Sequence, residues 1–243
     1  MIIELPVHKE SPMKIFAISD LHGDYKYLCY AQEKIKDADL VTISGDISRS
    51  GKIDSAQKII EYIEKLNRNI LAVHGNWDRA EVLDLLEEKG YSIHASGRVI
   101  GEFGFFGVGG SNPTPMKTSS EYSEDEILDF LKQGFQSVKT AKKIILVSHT
   151  PPLNTRDRTF LGLRGGSQVI RDFITDHGIY LCLCGHIHEA KGTARLNSCT
   201  VVNPGSFKKG KYSIVTFSGE FPVMVDQGKI KRPILHRFTK KNN

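Results

Sequence analysis

The sequence predicts an α/β fold whose opening strands run parallel. Two observations carry this. Short apolar runs alternate with longer amphipathic stretches along the 243 residues. The runs are continuously apolar rather than alternating, the pattern of strands buried on both faces, so helices are expected to cover both sides of the sheet. The first strand-like run is Lys14–Ser19, followed by a helical stretch at Asp24–Lys36. Leu40–Ser44 and Ile70–Val73 follow, separated by a helix over Asp54–Asn67 in which Ile59, Ile60, Ile63 and Leu66 recur at helical spacing. A third helix is expected at Arg79–Lys89. This βαβαβ order requires crossovers, and therefore parallel strands.

The alternation continues with runs at Phe103–Val108, Ile144–Ser148 and Ile179–Cys184, and helices at Ser123–Ala141 and Gly165–His177. Ser123 followed by Glu126 is a capping-box pattern. The Gly-rich segment Gly104–Asn112 reads as a tight loop. Thr200–Val202, Tyr212–Phe217 and Val223–Val225, with turns at Asn203-Pro204-Gly205 and Ser218-Gly219, read as a second sheet or an antiparallel extension.

Composition sets limits on function. Hydrophobic residues at 40% and charged residues at 25% exclude wholesale disorder. No run approaches the ~20 apolar residues of a membrane span. The opening residues show no basic stretch followed by an apolar one, so no secretory signal is expected. One domain is expected over 1–243, with a basic C-terminal β extension at about 219–243. Residues 228–243 carry six cations and no acid, which leaves residues 1–227 at −1 of the overall +5. The body is not a basic grip for nucleic acid, and the tail reads as a solvated face. Cys29, Cys182, Cys184 and Cys199 lack zinc-finger spacing. They read as small core side chains in a reducing compartment, expected to be cytoplasmic.

Five short motifs each follow an apolar run: Asp20-Leu21-His22-Gly23, Gly45-Asp46, Gly75-Asn76-Trp77-Asp78, His149, and Gly185-His186-Ile187-His188. Open α/β sheets gather ligands at the carboxyl ends of their strands, so these residues are expected to share a crevice. They form a set of oxygen and imidazole donors without thiolate, which suits a divalent metal. Residues two apart in extended chain point the same way, so Asp20 and His22 can aim together, as can His186 and His188. Asp46, alone on its strand end, suits a bridge between two cations. Neutral Asn76 adds a carbonyl oxygen without charge.

Other residues carry lesser expectations. His74 reads as a buried, hydrogen-bonded histidine, and His8, His94, His177 and His236 as structural or solvated. Arg156 or Arg158, in a loop after His149, either reaches a phosphate or belongs to a solvated loop, the simpler reading. Gly109-Gly110-Ser111-Asn112 can offer backbone N–H groups to an anion, or form only a turn. Glu189 stands beside His188, either supporting it or exposed.

The ordered series D-x-H, G-D, G-N-x-D, H and G-H-x-H resembles the calcineurin-like metallophosphoesterase family, from about Lys14 to about Phe217. Ser148-His149-Thr150-Pro151-Pro152 and Asn203-Pro204-Gly205-Ser206 resemble its smaller, uncapped prokaryotic-type members. The resemblance implies a β-sandwich of two mixed sheets flanked by helices. It implies one metal on Asp20, His22, Asp46 and His188, and a second on Asp46, Asn76, His149 and His186. The cofactors would be two divalent ions among manganese, iron, zinc, nickel and cobalt. The implied reaction is hydrolysis of a phosphodiester or phosphomonoester by a metal-bridging hydroxide, with Asp46, Asn76 and His149 serving catalysis and Asp78 orienting a ligand through hydrogen bonds. A small phosphorylated substrate is expected, with no membrane partner; the oligomeric state is left open. A nuclease of the same chemistry and a non-catalytic interaction scaffold on the same fold are the alternatives.

One position departs from the family pattern. Many members carry His after the Asn, proposed to protonate the leaving oxygen, and here Trp77 stands there. An indole N–H donates a hydrogen bond but delivers no proton near neutral pH. Either the substrate leaves without such help, or the indole stacks on an aromatic leaving group, or Trp77 only packs its loop. If Trp77 bears on the leaving group, Trp77→His changes the ratio of hydrolysis rates for aryl and alkyl phosphate esters; an unchanged ratio removes that role.

Overall fold

A computed structural model describes residues 13–217 and 223–231. His8, His236, the Ser218-Gly219 turn and the tail cations from Arg232 onward lie outside the described residues. The chain runs β1 (Lys14–Ile18), α1 (Leu28–Lys36), β2 (Leu40–Ser44), α2 (Ile53–Glu64), β3 (Ile70–Val73) and α3 (Ala80–Glu88). It continues through β4 (Gly97–Ile100), β5 (Phe103–Val108), α4 (Glu124–Gln136), β6 (Lys143–Ser148), α5 (Gln168–Asp176) and β7 (Leu181–Leu183). β8 (Gly192–Leu196), β9 (Cys199–Asn203), β10 (Lys211–Phe217) and β11 (Val223–Lys229) complete it.

The strands form two sheets, ordered β11-β10-β1-β2-β3 and β4-β5-β6-β7-β9-β8. β1, β2 and β3 pair in parallel, as the crossovers require. The later strands divide between the two expected roles. β9 joins the second sheet parallel to β7, while β10 returns antiparallel to β1 and β11 extends that edge.

Both faces of the central strands are buried, but helices cover only one. In β1, Ile15 and Ala17 face the other sheet, while Phe16 and Ile18 face α1 and α2. The second sheet is arranged alike. Ile145 and Val147 of β6 point inward, and Leu146 packs with Leu131 of α4 and Phe173 of α5. The expectation of helices on both sides of one sheet is therefore corrected. Continuous apolarity reports two buried faces, and here the second cover is the partner sheet.

Sequence reading missed β4 and β8, the two edges of the second sheet. Both are only partly buried, so they lack an apolar run. α1 begins at Leu28 rather than near Asp24, because the Asp24 carboxylate accepts from Lys26 N (3.0 Å) in a local turn. Ser123 and Glu126 form the expected capping box on α4. Gly104–Val108 is buried strand rather than loop. Cys182, Cys184 and Cys199 are core residues, but Cys29 is exposed on α1.

The core between the sheets joins Ile15, Leu40, Leu71 and Val73 to Phe105, Ile145, Leu183 and Val202. Leu183→Ala is expected to destabilise the protein by ~2–5 kcal/mol in urea unfolding. A loss below ~1 kcal/mol contradicts this packing.

Candidate metal centre

The structure brings Asp20, His22, Asp46, Asn76, His149, His186 and His188 together at the carboxyl ends of β1, β2, β3, β6 and β7. Asp46 lies between two groups. Its Oδ2 is 3.7 Å from His22 Nε2, and its Oδ1 is 3.6 Å from His149 Nε2. On the first side, His188 Nε2 is 3.2 Å from both His22 Nε2 and Asp20 Oδ1. On the second, Asn76 Oδ1 is 2.9 Å from His149 Nε2 and 3.0 Å from His186 Nδ1. The donor atoms of Asp20, His22 and His188 lie within 4.8 Å of one another, as do those of Asp20, Asp46 and His149.

Convergence does not arise from extended chain. Asp20 (φ 57°), His22 (φ 48°), Asp46 (φ 52°) and His186 (φ 64°) are all left-handed, and His188 opens a 3₁₀ turn. The expectation that residues two apart aim together by strand alternation is corrected: tight turns aim them. Each left-handed residue costs about 1–3 kcal/mol and persists only where its surroundings over-determine it.

Those surroundings are hydrogen bonds between loops. Asp20 N, His22 N and Gly23 N donate to the carbonyls of Gly45 (3.0 Å), Asp46 (2.8 Å) and Ile47 (2.9 Å). The buried Asp78 carboxylate accepts from Ile47 N (3.0 Å), Ser48 N (2.8 Å), Ser48 Oγ (2.6 Å) and Gly75 N (2.8 Å), tying the Asp46 loop to the Asn76 loop. Trp77 is half-buried, and its backbone N–H donates to Asp46 Oδ1 (2.9 Å). A Cβ on Gly75 would strike Asp46 Oδ1 and N, so only glycine allows this approach.

Ser44, Asn203 and Ser206 were not singled out as site residues from sequence. The Ser44 carbonyl accepts from His149 Nδ1 (2.7 Å). Asn203 Nδ2 donates to the carbonyls of Gly185 (3.2 Å) and Ile187 (3.0 Å), holding the loop of His186 and His188. Ser206 Oγ donates to the Asp20 carbonyl (2.8 Å). The motif Asn203-Pro204-Gly205-Ser206 was the available signal for two of them, but a turn was the simpler reading.

Most of the lesser candidates are otherwise engaged, and Arg158 is exposed. Arg156 donates to the carbonyls of Thr193 and Lys191. Gly109 N, Gly110 N and Ser111 N donate to His94 Nδ1, the His74 carbonyl and the Ser120 carbonyl, so these three N–H groups are not open to an anion. Buried His74 meets Tyr122 Oη at 3.1 Å, the ring of His177 stacks on Phe173, and Glu189 is exposed.

The donors suit a cation. Both Asp20 carboxylate oxygens are buried with no hydrogen-bond partner in bonding geometry. Burial pushes the Asp20 carboxyl up, but His188, with His149 and His22, outweighs it and holds the group below the ordinary carboxylate range. Burial, with the charges of Asp78 and Asp20, raises Asp46 well above that range. Burial lowers His22 to about 4 and His186 to about 3, and lowers His149, so these imidazoles are neutral near pH 7. His188 is raised by Asp20 against its own burial. A carbonyl only accepts, so the Ser44 bond places the proton of neutral His149 on Nδ1. Its bare Nε2 then faces Asn76 Oδ1, lone pair against lone pair. A cation between such acceptors turns repulsion into coordination.

Asp78→Asn keeps the shape of the tie but sets an NH2 group against backbone donors. It is expected to destabilise the protein by ~2 kcal/mol or more in urea unfolding with chelator present. A loss under ~0.5 kcal/mol shows that the Asp46 and Asn76 loops hold their places without it.

Comparison with known proteins places the chain in a family. A model of calcineurin-like phosphoesterases matches residues 13–190. An uncharacterized protein of Methanocaldococcus jannaschii, MJ1162, is 40% identical over 199 residues, covering 79% of this chain and 88% of that protein. A probable cyclic nucleotide phosphodiesterase of Synechococcus is 26% identical over 159 residues, covering 65% and 60%. The fold matches TT1561 of Thermus thermophilus with a TM-score of 0.70 at 21% identity, covering 91% of this chain and all (100%) of that one. It matches a dimetal phosphatase from Danio rerio with a TM-score of 0.59 at 10% identity, covering 91% and 98%. The chain therefore belongs to the calcineurin-like phosphoesterase family.

Proposed function

We propose that this protein hydrolyses phosphate esters at a centre of two divalent ions held by these seven side chains. The observation that carries the reading is Asp46, whose two carboxylate oxygens face separate donor groups. Asp20, His22 and His188 would hold one ion with Asp46, and Asn76, His149 and His186 the other. Divalent ions held by these residues would supply the chemistry of acidifying a water and neutralising phosphate oxygens. Manganese, iron, zinc, nickel and cobalt all accept this mixed donor set.

The protein's own part is to hold these donors without reorganisation. Ser44 fixes the His149 tautomer, leaving Nε2 free to ligate. The Asp78 ties keep Asp46 between its neighbours. If the Trp77 indole reaches the leaving group, it gives a hydrogen bond rather than a proton, which would favour substrates whose leaving group departs readily.

A small substrate bearing an anionic group is the partner that this reading calls for. A cavity of about 480 Å³ is lined by Gly23, Tyr25, Arg49, Lys52, Asp54 and Lys58. Gly23, which follows His22 in the chain, belongs to this wall. The name of the Synechococcus relative supports a phosphodiester over a monoester. Among the described residues no helix is long and apolar enough to cross a membrane.

Hydrolysis of an aryl phosphodiester and an aryl phosphomonoester, with manganese and with chelator, tests the reading. Turnover is expected with metal and lost on chelation; Asp46→Asn is expected to reduce it at least ~100-fold, the scale of losing a core electrostatic contact. Activity untouched by chelation contradicts the mechanism, and turnover of neither ester favours the scaffold alternative. Lys58→Ala is expected to raise KM more than it lowers kcat.

A further inference from the structure

We propose that Thr118, held by Glu121, is a positioning residue that decides which face of the Asn76 amide meets the metal centre. This rests on the two-ion reading above. Asn76 can present either an oxygen, which ligates a cation, or an NH2 group, which cannot.

The Glu121 carboxylate accepts from Thr114 N (3.1 Å), Thr114 Oγ1 (2.6 Å), Thr118 N (2.6 Å) and Thr118 Oγ1 (2.6 Å). These bonds outweigh its burial and lower it to about 2, so it is ionised and can only accept. The single hydroxyl proton of Thr118 is therefore committed to Glu121. Thr118 Oγ1 then offers only lone pairs to Asn76, and Nδ2 answers at 2.8 Å. Oδ1 is left facing His149 and His186.

The opposite orientation has a local attraction. With its proton on Nδ1, His149 turns a lone pair on Asn76 that an amide NH2 would satisfy. Without an ion, flipping gives the amide a hydrogen bond to His149 and takes its oxygen away from His186 Nδ1. Thr118 opposes that flip, because the amide oxygen would then meet a hydroxyl whose proton is already taken. Ser120 fixes the rest of the loop, its N donating to the Asn76 carbonyl (3.0 Å) and its Oγ to the Asp78 carbonyl (2.6 Å). With the backbone held, the amide flip is the freedom that remains, and Thr118 removes it.

Thr118→Val keeps the side-chain shape and deletes the hydroxyl; Thr118→Ser restores it. Cobalt(II) titration, followed by calorimetry and by visible absorption, is the first test. Thr118→Val is expected to bind the weaker of two ions at least tenfold less tightly, with an altered spectrum, and Thr118→Ser to bind as the wild type. Thr118→Val binding both ions with wild-type affinity and spectrum overturns the proposal, as does Thr118→Ser behaving like Thr118→Val. Wild-type protein taking up no cobalt sinks the two-ion reading but leaves the orientation testable. In metal-free protein, the Asn76 side-chain NH2 signals, assigned with Asn76→Asp, are expected to exchange slowly in the wild type and in Thr118→Ser and quickly in Thr118→Val. Fast exchange in the wild type overturns the proposal independently of any metal.

Discussion

Lone pairs facing one another in a buried space are the constraint on which this structure rests. His149 and Asn76 meet acceptor to acceptor, and the charged Asp20 carboxylate is buried beside His188. Left alone, such groups repel, flip or take up protons. Much of the surrounding hydrogen bonding prevents those escapes. Ser44 sets a tautomer, Thr118 an amide, and Asp78 and Asn203 the paths of two loops. The interactions that define the site are therefore one layer outside it.

The sandwich makes this concentration of donors possible. Three strands of the first sheet and two of the second end beside one another, so five loops meet at one seam. A single parallel sheet offers its strand ends as a row, with neighbours about 4.8 Å apart and the outermost far from each other. Packing two sheets face to face brings His149 and His186 across to Asn76 and Asp46. The core between the sheets thus bears on chemistry as well as stability, since any slip of one sheet over the other would separate the two halves of the donor set.

Strain is concentrated at the same place. Four of the seven donor residues have left-handed backbones, and Gly75 lies against Asp46 where no side chain fits. Glycine could have relieved the strain at the donor positions, but glycine has no side chain to ligate. The chain keeps the functional side chain and holds its backbone with cross-loop bonds instead.

The order of amino acids alone specifies the first three parallel strands, the crossover helices, the α4 capping box and the seven polar side chains that the fold brings together. Each is legible because it depends on local chemistry: apolar runs, helical spacing, and polar residues placed just after strands. Edge strands β4 and β8 were not legible, because half-exposed strands carry no apolar run. The apolar runs did not tell what covers the inner strand faces, since burial marks a residue as hidden without saying whether helix or sheet hides it; the two-sheet sandwich came from the family resemblance, and the fold has it. The supporting bonds were hidden for a related reason. Ser44, Thr118 and Asn203 act on residues 16 to 105 positions away, and such a pairing exists only once the chain has folded. Composition and spacing say which atoms can bind a cation; the folded chain settles which lone pairs face which, because direction in space is a property of the packed loops.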